Sequence, residues 1–309
     1  MALRILRSQA DVGGRLRTDT RIAVVIASTG RAAELARWPE HCARQTLRPV
    51  KLIFSMVNQA DFAGDPTASG GTALYGSPGL CAQRNRALAE IDDTIDIVAF
   101  FDDDYVPSSF CFEGIARFFQ EHANVAGVTG TLLADGIQGP GISYDQACAM
   151  VHAHDADYLR PTIVLRRRFG LYGCNMAFRR SMIEGLRFDE ALPKYGWQED
   201  VDFARQVAER GAICGTNAFV GVHQGAKAGR SSGTQLGYSQ VANPVYLMRK
   251  GTMSPRFARG HIVRNVLANM AKAFSPEPWV DRRGRLKGNM IAIADVLRGK
   301  DDPRRIDRL

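Results

Sequence analysis

The chain has 309 residues, 45% of them apolar and 23% charged. That is the make-up of a folded globular protein, long enough for one large α/β domain with an extension or for two small domains. The net charge of +8 is uneven: residues 226–309 hold 17 Lys/Arg against 6 Asp/Glu, so the basic character belongs to the tail. No apolar run reaches the roughly 18 residues of a membrane span. Residues 1–20 lack an apolar stretch ending in a small-residue cleavage site, which argues against a secretory signal, and they read as a loose leader. The six cysteines (Cys42, Cys81, Cys111, Cys148, Cys174 and Cys214) are scattered without C-x-x-C spacing, as expected of buried thiols in a reducing compartment.

Arg21-Ile-Ala-Val-Val-Ile-Ala27 is apolar and β-branched after its first residue and ends in Ser28-Thr29-Gly30, the pattern of a buried parallel strand running into a loop. Residues 32–44 follow as a helix with a break near Pro39, and 50–57 as a second strand. Residues 58–78, rich in Gly, Ser, Asp and Pro, read as a loop. A helix over 80–90 leads to a third strand over 95–101, which runs directly into Asp102-Asp103-Asp104. Residues 110–122 predict a helix, 125–133 a strand, 136–158 an irregular Gly-rich segment, and 170–179 a short strand. A helix over 200–211 has Phe203 and Val207 on one face and Gly211 at its C′ position, and a last strand spans 218–223. Beyond residue 225 a Gly/Ser linker gives way to helices. Phe257, Val263, Val266, Leu267, Met270 and Phe274 keep helical spacing among Arg256, Arg259, Arg264 and Lys272. Such a helix packs on the catalytic domain or lies on a membrane surface.

This alternation predicts an α/β fold, a Rossmann-like open, mainly parallel sheet flanked by helices, with a basic helical C-terminal extension. Ligands bind such sheets beyond the carboxyl ends of the strands. Three consecutive carboxylates there repel one another unless a cation or hydrogen-bond donors neutralise them. Asp102 and Asp104 fall on one side of an extended chain, and hard oxygen ligands suit Mg²⁺ or Mn²⁺. A solvated capping loop is the competing account of the same residues. In Tyr195-Gly-Trp-Gln-Glu-Asp-Val-Asp-Phe-Ala-Arg205 the acids sit in a helical first turn, where the helix dipole favours them. One of them can also be presented to a site as a general base, with Trp197 as an apolar wall for a sugar ring.

Together with Gly173-Cys-Asn-Met-Ala-Phe-Arg-Arg180 between them, these clusters make the chain resemble the family-2 glycosyltransferases of GT-A fold. The resemblance runs in order from about residue 21 to 223. It includes the polar loop Ser28-Thr-Gly-Arg31, Gln45 ahead of the second strand, Arg84-Asn85 opening a helix, the D-x-D, the G-x-N-x-x-x-R segment, and Phe188-Asp-Glu190 before the Glu-Asp pair. It implies an inverting, metal-dependent transfer of sugar from a nucleotide-sugar to a hydroxyl acceptor. It further implies that Ser28, Thr29, Arg31, Arg84, Asp102 and Asp103 bind the donor, and that Asp102, Asp104 and His223 hold Mn²⁺ or Mg²⁺. Asp200 is implied as catalytic base, with Glu199, Asn175 and Trp197 at the acceptor. The Asp that often reads the base is replaced by Met56-Val-Asn58-Gln-Ala-Asp61, where either Asn58 or Asp61 can serve.

His152-Ala-His154-Asp-Ala-Asp157 lacks a ligand frame and is better read as part of acceptor recognition than as a metal site. Competing functions are a sugar-phosphate nucleotidyltransferase, which the loop after the first strand does not support, and a non-catalytic carbohydrate-binding protein. A nucleic-acid protein lacks any motif here, so no nucleic-acid partner is expected. A saccharide or lipid-linked saccharide acceptor, met in the cytoplasm or at the inner face of a membrane, fits the basic tail.

Overall fold

The computed structural model describes residues 19–68, 70–227 and 231–309. The expected leader lies outside these apart from its last two residues. The apolar runs form β1 (Ile22–Ala27), as expected, followed by α1 (Ala32–Leu35) and α2 (Trp38–Ala43). The predicted helix thus breaks at 36–37. Pro39 lies in the first turn of α2, where its missing N–H is not needed. β2 (Lys51–Met56) is followed by β3 (Thr72–Tyr75), inside the segment expected to be loop. Four half-exposed residues at the sheet edge are too few to show a period. α3 (Leu80–Leu88) and β4 (Ile97–Asp102) follow, then β5 (Tyr105–Pro107), α4 (Cys111–Glu121) and β6 (Val125–Asp135).

The segment read as irregular contains α5 (Tyr144–Ala156). This helix buries only Ala147 and Val151, so its apolar period is faint. Its signal is the capping box, in which the Ser143 side chain accepts from Gln146 N and Gln146 Oε1 accepts from Ser143 N. The chain continues through β7 (Leu165–Arg167), β8 (Asn175–Arg179), α6 (Arg180–Ile183), α7 (Glu199–Ala208) and β9 (Ala212–His223). Gly211 is not a left-handed cap as expected, because α7 ends on Glu209 in right-handed conformation. It is needed for space instead: a Cβ there would meet Ala126 Cβ at 2.9 Å.

The strand order is β3-β2-β1-β4-β8-β6-β9-β5, with β7 also paired to β9. β8 runs antiparallel to both β4 and β6, while β5 and β7 run antiparallel to β9. The other six strands all point one way, which is the open, mainly parallel sheet expected. Both its faces are covered. Ile22, Val24 and Ile26 face the core under α2 and α4, and Ala23 and Val25 face the one under α3 and α7. The carboxyl ends of β1, β4, β6 and β9 therefore converge on one rim.

The C-terminal residues form α8 (Gly233–Lys250), α9 (Pro255–Lys272) and α10 (Arg282–Leu297), with a small core of Tyr238, Val241, Ala242, Ala292 and Ile306. Lys250 Nζ bonds both Asp202 Oδ2 at 2.7 Å and Asp189 Oδ2 at 2.6 Å, tying α8 to α7. Leu247 and Ala258 enter the core of the α/β layer. No helix among the described residues is long and apolar enough to cross a membrane.

α8 and α10 cross at two glycines. A Cβ on Gly237 would sit 2.0 Å from Arg285 O, and one on Gly288 would sit 2.1 Å from Thr234 O. Backbone has no rotamer by which to yield. Gly237→Ala should therefore cost about 1–3 kcal/mol in urea unfolding, the usual range for overpacking. A variant as stable as the parent would show that the helices are not in this register.

Candidate active site

β4 delivers Asp102 to the rim, and the chain turns at 103–104. The three acids separate. Asp103 turns inward, accepting from Ser28 Oγ at 2.5 Å and pairing with Arg31 Nη1 at 2.8 Å, while its carbonyl accepts from Trp38 Nε1 at 3.1 Å. Burial pushes it up to about 7 despite Arg31. Asp103 thus lies off the cavity wall, where a donor contact was expected to stand on it. It anchors the Ser28–Arg31 loop. Asp102 and Asp104 both face a cavity of about 1370 Å³.

His223 ends β9, in register with Asp135 at the end of the parallel strand β6. Its Nδ1 lies 2.8 Å from Asp135 Oδ1, and Tyr172 donates to Asp135 Oδ2 at 3.0 Å. This leaves Nε2 facing Asp104 Oδ1 at 3.5 Å and Asp102 Oδ2 at 3.8 Å. One ligand atom from each of Asp102, Asp104 and His223 lies within 4.8 Å of the others. Asp104 Oδ1 is buried and makes no hydrogen bond, while its Oδ2 accepts from Ala226 N at 2.6 Å. Burial alone would lower His223, but the carboxylates of Asp104 and Asp135 beside it overcome this and push the imidazole up to about 10. Burial would likewise raise Asp104, yet His223 and Arg31 hold it down to about 2. An orphaned carboxylate oxygen beside an imidazole whose other nitrogen is fixed by a carboxylate fits a divalent ion such as Mn²⁺ or Mg²⁺.

α3 braces this floor with three successive side chains. Gln83 Nε2 donates to Ser28 O at 2.8 Å and to Ser55 O at 2.7 Å. Arg84, 2% exposed, pairs with Glu199 Oε1 at 2.6 Å and Asp102 Oδ1 at 3.4 Å, and donates to Gly173 O at 3.0 Å. Asn85 exchanges hydrogen bonds with the backbone of Phe188, whose ring stacks on Phe203 of α7. The Arg-Asn pair thus couples β4 to α7.

The three acids opening α7 have three different roles. Asp202 is buried and held by Lys250 and Thr252. Glu199 faces Arg84, and burial pushes it up to about 8 against the pull of that guanidinium. Asp200 accepts from Gly173 N at 2.9 Å and Val201 N at 2.8 Å, and it lines the cavity. Burial raises Asp200 above its ordinary value. The loop before α7 has left-handed backbone at Lys194, Gly196 and Gln198, and the two non-glycines there mark strain around the site.

Trp197, Arg31, Arg84 and Glu199 also line the cavity. Asn175 does not: it is fully buried in β8 and accepts from Thr129 Oγ1 at 2.6 Å, so its expected place at the acceptor is corrected to a sheet contact. Ser28 is buried against Asp103, and Thr29 caps its own loop through Ser28 O. Asp61 accepts from Gly30 N, Val57 N and Asn58 N, which clamps the ends of β1 and β2, while Asn58 is exposed and accepts from Ala60 N. Neither of them is on the cavity wall. His152 and His154 lie on α5 away from it, where Asp155 accepts from Ser108 Oγ and Ser109 N. All six cysteines are free, and only Cys148 is partly exposed. The sequence reading missed Asp135, Tyr172 and Gln83. Asp135 sits two residues past the predicted strand end, and its signal was the parallel register with His223.

No family model matches the chain, and no curated protein is similar to it. Solved structures are. Glucosyl-3-phosphoglycerate synthase from Mycobacterium tuberculosis, in complex with Mn²⁺, UDP-glucose and phosphoglyceric acid, superposes with a TM-score of 0.50 at 18% identity, over 81% of this chain and 89% of that one. The same enzyme with Mn²⁺, UDP and phosphoglyceric acid gives 0.50 at 17%, over 80% and 87%. The chain has the GT-A fold. TarS of S. aureus matches at 13% identity with a TM-score of 0.49, and the chain spans 44% of its length.

The carboxylate behind His223 gives a test. Asp135→Ala should weaken Mn²⁺ binding about 10–100-fold, as loss of an outer partner to a ligating histidine does. Titration followed by electron paramagnetic resonance measures this. Unchanged affinity would remove His223 from the ligand set.

Proposed function

We propose that this chain is an inverting, metal-dependent glycosyltransferase that moves a sugar from a nucleotide-sugar to a hydroxyl acceptor. The observation that supports this most is the meeting of Asp102, Asp104 and His223 with Asp200 on one cavity wall of a GT-A fold. The relatives in that fold are named as binding UDP-glucose and Mn²⁺. Asp102, Asp104 and His223 would hold the metal, which when bound supplies positive charge at the donor diphosphate. Arg84 holds Asp102 and Glu199 apart and fixed, and Arg31 adds charge at the cavity edge. Asp200 takes the proton from the acceptor hydroxyl as its oxygen bonds to the anomeric carbon. The bond from that carbon to the diphosphate oxygen breaks, and its electron pair leaves with the nucleoside diphosphate. A single base opposite the leaving group gives inversion, and a raised carboxyl is a stronger base than an exposed one.

The acceptor is a saccharide or lipid-linked saccharide of cell-surface polysaccharide synthesis in this reading. The contact with a membrane rests on α9. Val263, Leu267 and Met270 form one stripe along it, exposed by 55%, 52% and 49%, and Phe274, 89% exposed, follows just past its end. Arg256, Arg259 and Arg264 border the stripe, and α9 carries no acid. Apolar side chains flanked by cations suit an anionic bilayer surface. Leu267→Asp with Phe274→Asp should abolish co-flotation with phosphatidylglycerol vesicles while the folded protein stays monodisperse. Equal flotation of the double variant would rule out this face.

The reaction itself is tested by a panel of UDP-, GDP-, dTDP- and CMP-sugars with and without Mn²⁺. One nucleotide class should bind only with metal, and Asp200→Asn should keep that binding while turnover falls about 10²–10⁴-fold, the contribution of a general base. Because deprotonated Asp200 is the active form, the acid limb of kcat should lie above the ordinary carboxylate range and vanish in the variant. Normal turnover by Asp200→Asn would assign the base elsewhere. Diphosphate release from a nucleoside triphosphate and a sugar phosphate would favour a nucleotidyltransferase.

A further inference from the structure

Much of the cavity lining comes from parts of the chain that no motif marked. β7 contributes Arg166, and Arg168 lies two residues on. Strand alternation turns both into the cavity and Arg167 away. Arg168 is seated on β9 because Gly215 has no side chain: a Cβ there would lie 2.7 Å from Arg168 Nε. α9 contributes Arg264 and Lys272, two turns apart on one face, and α10 contributes Arg282 and Arg285, one turn apart. Lys227 also lines the cavity, next to the Ala226 N–H that bonds Asp104, and donates to Gly136 O and Ile137 O. Against the six cations of residues 166–168, α9 and α10, the same segments offer the cavity two acids, Glu277 and Asp281. Glu277 is held by Lys272 and Arg282, and Asp281 accepts from Gly284 N at the start of α10. The side chains of Arg166, Arg168 and Arg264 make no ion pair or hydrogen bond among the described residues. The sequence holds no Asp or Glu between Glu209 and Glu277. Trp279, 37% exposed, also lines the cavity and offers an apolar plane.

Like charges gathered from three separate segments around one cavity repel one another, and an anion relieves that cost. The donor diphosphate is accounted for by the Asp102, Asp104 and His223 group. We infer that the acceptor carries a negative charge, a phosphate or a carboxylate. Arg168 and Arg264 bind that group while Asp200 faces the hydroxyl. The inference rests on the glycosyltransferase reading and narrows it from any hydroxyl acceptor to an anionic saccharide.

The test fills the donor side first, so that no probe phosphate is drawn to the metal. The protein is loaded with Mn²⁺ and UDP, and glucose, glucose 6-phosphate, glucuronate and inorganic phosphate are titrated against Trp fluorescence and thermal stability. Glucose 6-phosphate or glucuronate should bind at least about tenfold more tightly than glucose, the effect of one charge-assisted hydrogen bond. Whichever of the two binds identifies the group as phosphate or carboxylate. Inorganic phosphate should bind more weakly than the better sugar. Arg168→Gln and Arg264→Gln should each lower the affinity for the charged sugar about tenfold and leave that for glucose unchanged, while UDP binding with Mn²⁺ stays at the parent level. Equal affinity for glucose and both charged sugars, undiminished binding by the double variant, or no binding of either charged sugar at millimolar concentration would each overturn the inference. Loss of Mn²⁺-dependent UDP binding in the parent protein would instead count against the transferase reading, and is scored separately.

Discussion

The site depends on how this fold manages carboxylates crowded at the end of β4. Asp102, Asp103, Asp104, Asp135, Glu199 and Asp200 stand on one rim, most of them away from bulk water, and like charges in such surroundings are costly. Two arginines and one histidine answer them. Arg31 neutralises Asp103 inside the protein, Arg84 bridges Asp102 to Glu199, and His223 sits between Asp104 and Asp135. The cations are fewer than the acids, and the shortfall gathers at Asp104 Oδ1, the one carboxylate oxygen of the D-x-D pair that is buried without a hydrogen bond. A divalent ion bound there would complete that balance. The same arithmetic explains why the loop after β1, α3 and the start of α7 all point their polar side chains here.

The sequence showed those parts that are long and periodic or that punctuate a strand end. β1, β2, β4, α3, α4 and α7 stand out by their apolar spacing, and Asp102, Asp104 and Asp200 by their position after a strand or at a helix start. What escaped was short or set by tertiary contact. β3 has four residues at an edge, and α5 buries two side chains, so neither has a period to detect. Asp103 and Asp102 are neighbours of one residue type, and only the turn at 103–104 sends one into the protein and the other to the cavity. Asn175 matched its motif, yet strand β8 buries it against Thr129. Asp135 and His223 are 88 residues apart and meet through strand register.

The C-terminal helices, distinct in composition, are not distinct in space. Asp202 of α7 is held by Lys250 and Thr252, so the helix that presents Asp200 is braced by the extension. The backbone of Ala226, where the composition changes, donates to the metal-site residue Asp104. α9 then shows two characters on adjacent faces: Arg264, Asn265, Ala268 and Lys272 toward the cavity, and an apolar stripe toward solvent.

The central claim is that Asp102, Asp104 and His223 bind one divalent cation. Crystals grown with Mn²⁺ and UDP, measured at the manganese absorption edge, test it most directly. The account predicts one strong anomalous peak within bonding distance of Asp102 or Asp104 and of His223 Nε2, with the UDP phosphates beside it. A map with nucleotide bound and no peak there, or with the metal held elsewhere, would contradict it.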